Sequence, residues 1–111
     1  MITETLIKDW IAVSNSYDTE KYLEFYLKDA VLDDTSVGRK FVGHAGIKDY
    51  FESYFIEYKT QTKLKKLEIK ADSTYIEVEF TGDFPEGKIC GSFDFVFKND
   101  KIDFVKADLI H

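Results

Sequence analysis

The sequence predicts an α+β domain in which three helical segments cover the concave face of a curved, cone-shaped antiparallel sheet. Three observations predict it. Apolar residues recur at helical spacing in the first half of the chain, and beyond Lys59 the period changes to two. The later strands also contain two breaks of phase, which call for bulges, and bulges bend a sheet. With 111 residues there is room for one core, so the chain is read as a single domain over residues 1–111.

The first helix runs from Thr5 to Ser14, where Leu6, Ile7, Trp10, Ile11 and Val13 form one broad apolar face. Asp18 can cap a second, short helix, in which Glu20 complements the helix dipole and Tyr22, Phe25 and Tyr26 share a face. Asp29 to Asp34 is too short and too β-branched to continue it. It reads as a brief strand running into the polar loop Thr35-Ser36-Val37-Gly38. After Gly43 the spacing of Ile47, Tyr50, Phe51, Tyr54, Phe55 and Tyr58 predicts the third helix, with Lys48, Asp49, Glu52 and Glu57 opposite.

Four antiparallel strands follow, giving the order ααβαββββ. In the first, Leu64 is out of phase with Leu67, so a bulge near Lys65 and Lys66 is expected; its lysines also discourage edge-to-edge aggregation. Ile76, Val78 and Phe80 then alternate against Tyr75, Glu77 and Glu79, and Asp83 to Gly87 turns the chain. Ile89, Phe93, Phe95 and Phe97 share one phase of the next strand. Cys90, lacking any neighbour that would lower its pKa, reads as a buried apolar residue. Asn99-Asp100 is a tight turn, and a phase change between Phe104 and Val105 marks a second bulge.

Twenty-one Asp and Glu against fifteen Lys and Arg give a net charge of −6, which opposes binding to nucleic acid and to an anionic membrane surface. The start Met1-Ile2-Thr3-Glu4 carries no leader pattern and no apolar run is long enough to span a bilayer, so a cytoplasmic protein is expected. One cysteine cannot form an internal disulfide. The two histidines, His44 and His111, have no metal-ligand spacing, no triad can be assembled, and there is no glycine-rich phosphate loop. No cofactor and no metal are therefore expected.

Ten Phe and seven Tyr are more ring surface than a core of this size needs. A curved sheet roofed by helices leaves a conical space, and Trp10, Tyr22, Tyr26, Tyr50, Phe51, Tyr54, Phe84, Phe93 and Phe95 are the candidates for its wall. Adjacent strand residues face opposite ways, so one of Asp33 and Asp34 points inward. Asp34, in phase with Leu32, is the better candidate. A carboxylate among rings is desolvated, which raises its pKa and suits it to general-base work. Asp94 is out of phase with the Phe row and would reach the cavity only through a bulge.

The run Asp29-Ala30-Val31-Leu32-Asp33-Asp34, a loop, and Phe41-Val42-Gly43-His44-Ala45-Gly46-Ile47 resembles the nuclear transport factor 2-like superfamily, in particular its SnoaL-like and ketosteroid-isomerase-like branch. The likeness extends over essentially the whole chain, through Trp10, Asn15, Asp18 and the closing Phe95 to Ile102 hairpin. It implies that Asp34 stands where the isomerases keep their base, although Thr35 replaces the usual proline. It places Trp10 where those enzymes use a tyrosine donor, and leaves their second acid matched to either Phe93 or Asp94, with the alternation favouring Phe93. An incomplete oxyanion hole disfavours steroid isomerisation itself, since each donor lost typically costs about 10²–10³ in rate.

The expectation is thus a pocket for a small, largely apolar molecule. Either it serves a cofactor-free isomerase, dehydratase or cyclase with Asp34 as base, or it belongs to a noncatalytic binding or dimerisation module. The resemblance further implies a homodimer paired across the outer face of the sheet near Tyr75. With the last strand at the end of the sequence, an open mouth to the pocket is expected.

Overall fold

The computed structural model describes residues 2–110. Helix α1, Thr3–Asn15, buries Ile7, Trp10, Ile11 and Ser14 along one face, as the spacing requires. Helix α2, Thr19–Glu24, is capped by Asp18, whose carboxylate accepts from the Lys21 backbone N–H at 3.1 Å. Strand β1, Tyr26–Asp34, begins earlier than the pattern of Tyr22, Phe25 and Tyr26 suggested. Tertiary pairing overrides the local signal, because the Ile102 N–H donates to the Phe25 carbonyl at 2.7 Å and Tyr26 is drawn into register with Ile102.

Strand β2, Arg39–Val42, was not anticipated. Four residues with two charges and a single inward ring, Phe41, offer no readable alternation. The strand forms because the loop after Asp34 folds it back on β1, pairing Asp34 with Arg39 and Leu32 with Phe41. Helix α3, Gly43–Phe51, then passes into a π-helical segment, Glu52–Ile56, instead of continuing as one α-helix to Tyr58. Gly43 makes the entry to α3 at φ +70°, where a Cβ would stand 3.2 Å from the Lys28 carbonyl oxygen.

The remaining strands are β3, Gln61–Ile69, β4, Thr74–Thr81, β5, Lys88–Lys98, and β6, Lys101–Ile110. One six-stranded sheet results, in the order β2-β1-β6-β5-β4-β3. Neighbours are antiparallel except β1 and β6, which run parallel, so the sheet is mixed. The register of β3 against β4 shifts between Leu64 and Lys66, where the phase break lies. In β6 the extra residue is Asp103, slightly ahead of the expected position, since Ile102 opposes Phe97 and Phe104 opposes Val96. Lys63 and Lys65 are exposed on β3, an edge strand.

Ile76, Val78, Phe80, Phe93 and Phe95 face the helices and share one hydrophobic core with Ile7, Trp10 and Phe51. Cys90 is exposed on the outer face of β5, against the expectation of burial. Its phase is opposite to that of the Phe row, and that phase faces outward. His44 sits beside the Tyr26 carbonyl, with Nε2 at 2.9 Å, and His111 lies outside the described residues. Among the described residues no three His, Cys, Asp or Glu side chains come together as a metal site, and no helix is long and apolar enough to cross a membrane.

Candidate functional site

The cone divides into a solid half and a hollow half. In the solid half Trp10 is 1 % exposed and donates its indole N–H to the Tyr26 hydroxyl at 3.1 Å, and Tyr26 donates in turn to the Tyr22 hydroxyl at 2.7 Å. Tyr22 stacks on Phe51 at 3.9 Å between centroids, while Phe93 and Phe95 meet Trp10 edge-on at 5.1 and 5.2 Å. Trp10, Tyr22, Tyr26, Phe51 and Phe95, expected in the wall of a pocket, are therefore packed against one another in the solid core. None of them lines the cavity. Alternation tells in from out but not how deep a ring lies.

The hollow half is a cavity of about 210 Å³ between the end of β1, the helical segment through Tyr58, the β4–β5 turn and β6. Of the expected residues, Asp34, Tyr50, Tyr54, Phe84 and Phe93 line it. So do several that the sequence did not single out for it, chiefly Ser36, Phe55, Tyr58, Phe80, Glu86 and Asp108. Tyr58 belonged to the readable stripe of the third helix, and Phe80 to the alternation of β4. The π-helical segment turns less per residue than an α-helix. Tyr50, Tyr54 and Tyr58, spaced by four, consequently stay on the cavity side instead of drifting around the axis.

Phe80 pairs with Ile89, and its ring lies against the partner of Val78, Gly91, which has no side chain. A Cβ there would stand 2.5 Å from Phe80 Cε2 and 3.1 Å from the Asp108 carbonyl oxygen.

Asp34 is the buried acid of the cavity wall. It is 6 % exposed, and its Oδ1 accepts from the Ser36 backbone N–H at 2.9 Å and the Ser36 hydroxyl at 2.5 Å. The Ser36 contacts thus leave Oδ2 as the oxygen available to a molecule in the cavity. Thr35, just after β1, ties the site to Ala107 on the neighbouring strand β6, donating to its carbonyl through the backbone N–H at 2.9 Å and the hydroxyl at 3.1 Å. Burial, and after it the adjacent Asp34 carboxylate, push the Tyr50 phenol well above its ordinary value, so Tyr50 is a neutral hydrogen-bond donor beside the acid. Asp94 stands on the outer face opposite Tyr75, its Oδ1 buried without a partner, and takes no part in the cavity.

No family model and no curated protein sequence matches the chain. A candidate polyketide cyclase from Sinorhizobium meliloti superposes with a TM-score of 0.84 at 16% identity, covering 93% of each chain. A candidate ketosteroid isomerase from Kribbella flavida gives 0.83 at 13%, covering 96% of this chain and 76% of its own. The chain has the nuclear transport factor 2-like fold. A protein from Mycobacterium tuberculosis, solved in complex with estradiol-17β-hemisuccinate, gives 0.81 at 12%, covering 93% of this chain and 89% of its own. Likeness at this identity concerns the fold and leaves activity to the site.

The buried phenols of this nuclear transport factor 2-like core set a limit on alkaline stability. Burial raises Tyr22, Tyr26 and Tyr50 above the ordinary phenol value of 10.0. The native state keeps protons that the unfolded chain releases above that pH. Their contribution is complete below pH 10 and is lost as the pH rises beyond it. Phenolate absorbance from these three rings is expected only together with loss of the far-ultraviolet circular dichroism. Ionisation of all seven tyrosines in the folded protein would show the core to be open.

Proposed function

We propose that this chain binds a small, largely apolar molecule in the aromatic hollow, with Asp34 as a general base for cofactor-free proton transfer. The observation that carries the reading is a buried carboxylate in the wall of a largely aromatic cavity, held by Ser36 through one oxygen. A proton beside a carbonyl is the kind such a group removes, as in isomerisation, dehydration or ring closure. The donor facing the developing negative charge would be Tyr50 or Tyr54. Trp10 cannot serve, because its N–H is engaged by Tyr26.

The estradiol derivative bound by the Mycobacterium tuberculosis neighbour supports a hollow of this type as a place for apolar ligands. The alternative, a module that holds a ligand without chemistry, draws on the tie between Asp34 and the Ser36 backbone, which also suits a carboxylate that orders a turn. In either case the reading includes a single domain, a homodimer paired across the outer sheet face around Tyr75, and residence in the cytoplasm.

Native mass spectrometry of the intact protein tests both parts together. The expected spectrum is that of a dimer carrying a small organic adduct, and Ala107→Leu, which adds bulk to the cavity wall, is expected to remove the adduct while the dimer persists. Retention of the adduct by that variant would place the ligand elsewhere, and a monomer at micromolar concentration would dispose of the dimer.

A further inference from the structure

We propose that the ligand is a cation, a small amine or quaternary ammonium compound with an apolar body. The proposal deepens the pocket reading and rests on its binding half alone, not on proton transfer. Three carboxylates line the cavity, Asp34, Glu86 and Asp108, and no Lys, Arg or His is among the described residues that line it. The rest of the wall is mostly rings. Tyr50, Tyr54, Tyr58, Phe80 and Phe84 offer the electron-rich faces that attract an ammonium group within about 6 Å of a ring centre.

Among the described residues no cationic side chain pairs with Asp34. Arg39 is its partner in the β1–β2 register, yet the guanidinium lies over the Phe41 ring, 4.4 Å from its centre, and Arg39 is exposed. The ion pairs among the described residues are Lys8 with Glu4, Lys66 with Glu68 and Lys88 with Glu79, none of which touches Asp34. Both hydrogen bonds from Ser36 fall on Oδ1. A buried carboxylate is best completed by a positive partner, and here that partner has to come from outside. The net charge of −6 draws cations toward the protein, whereas an anion would meet three like charges at the wall.

The test uses three probes of similar size: phenyltrimethylammonium, its uncharged isostere tert-butylbenzene, and benzoate. Their affinities for the full chain are measured by ligand-observed NMR. Phenyltrimethylammonium is expected to bind about tenfold more tightly than tert-butylbenzene, with benzoate weakest. Asp34→Asn should lower the affinity for the cation about tenfold and leave that for tert-butylbenzene within about twofold. Should that variant not fold, the double variant E86Q/D108N, at exposed positions, has to weaken the cation selectively. Equal or tighter binding of tert-butylbenzene or benzoate overturns the cation preference while the pocket stands. Absence of binding by all three overturns the pocket reading with it.

Discussion

Asp34→Asn is expected to slow any carbon-bound proton transfer in the hollow by about 10²–10⁴, the usual contribution of a positioned base. Asparagine is nearly the same size and keeps an oxygen that can accept from the Ser36 N–H and hydroxyl, so the turn that places residue 34 survives. What it loses is the ability to take up a proton. The measurement is deuterium incorporation from solvent beside the carbonyl of a probe retained by the wild-type chain, with circular dichroism as the control for folding. If wild-type and variant exchange at the same rate, Asp34 is not the base and the noncatalytic reading prevails.

Trp10→Ala is expected to destabilise the fold by about 3–5 kcal/mol, the range for truncating a large buried ring. Trp10 is the junction of the solid half of the cone. It touches Tyr22, Phe93 and Phe95 and feeds the hydrogen-bond chain through Tyr26 to Tyr22. The alanine variant leaves a void and deprives the buried Tyr26 hydroxyl of its donor. Trp10→Phe retains most of the ring and loses only that donor, for an expected loss of about 1 kcal/mol. Urea unfolding of both variants separates the two contributions. A loss under about 1 kcal/mol for alanine would mean that neighbouring rings collapse into the gap.

Much of this architecture was legible because it depends on local period. The broad face of α1, the Asp18 cap, the alternation of β4 and the phase break between Leu64 and Leu67 are all signals within a few residues of one another. The inward placing of Asp34 followed from parity with Leu32 and holds in the structure. What was not legible depends on partners far away in the chain. Tyr26 is a strand residue because Ile102 captures it, and β2 exists because β1 is there to receive it. The division of the rings into core and wall was equally hidden. Trp10 and Tyr54 both belong to apolar helical stripes, yet in the assembled fold one is packed solid while the other is part-exposed and borders the hollow. Cys90 shows the converse: its phase was legible, but its burial was inferred from residue type, and phase prevailed.

Strand β6 lies in the middle of the sheet although it is made last among the elements, and Thr35 beside the acid is fastened to Ala107 across it. Joining residues more than seventy positions apart requires closing a long loop before any reward, a slow kind of step. A nascent chain emerging from the ribosome can therefore form its early helices and hairpins, but the floor of the cavity cannot assemble until residues around 107 have been synthesised. Until then the inward rings of β1 and β5 lack the strand that separates them from water, and the interval before completion is when this protein is most exposed to aggregation.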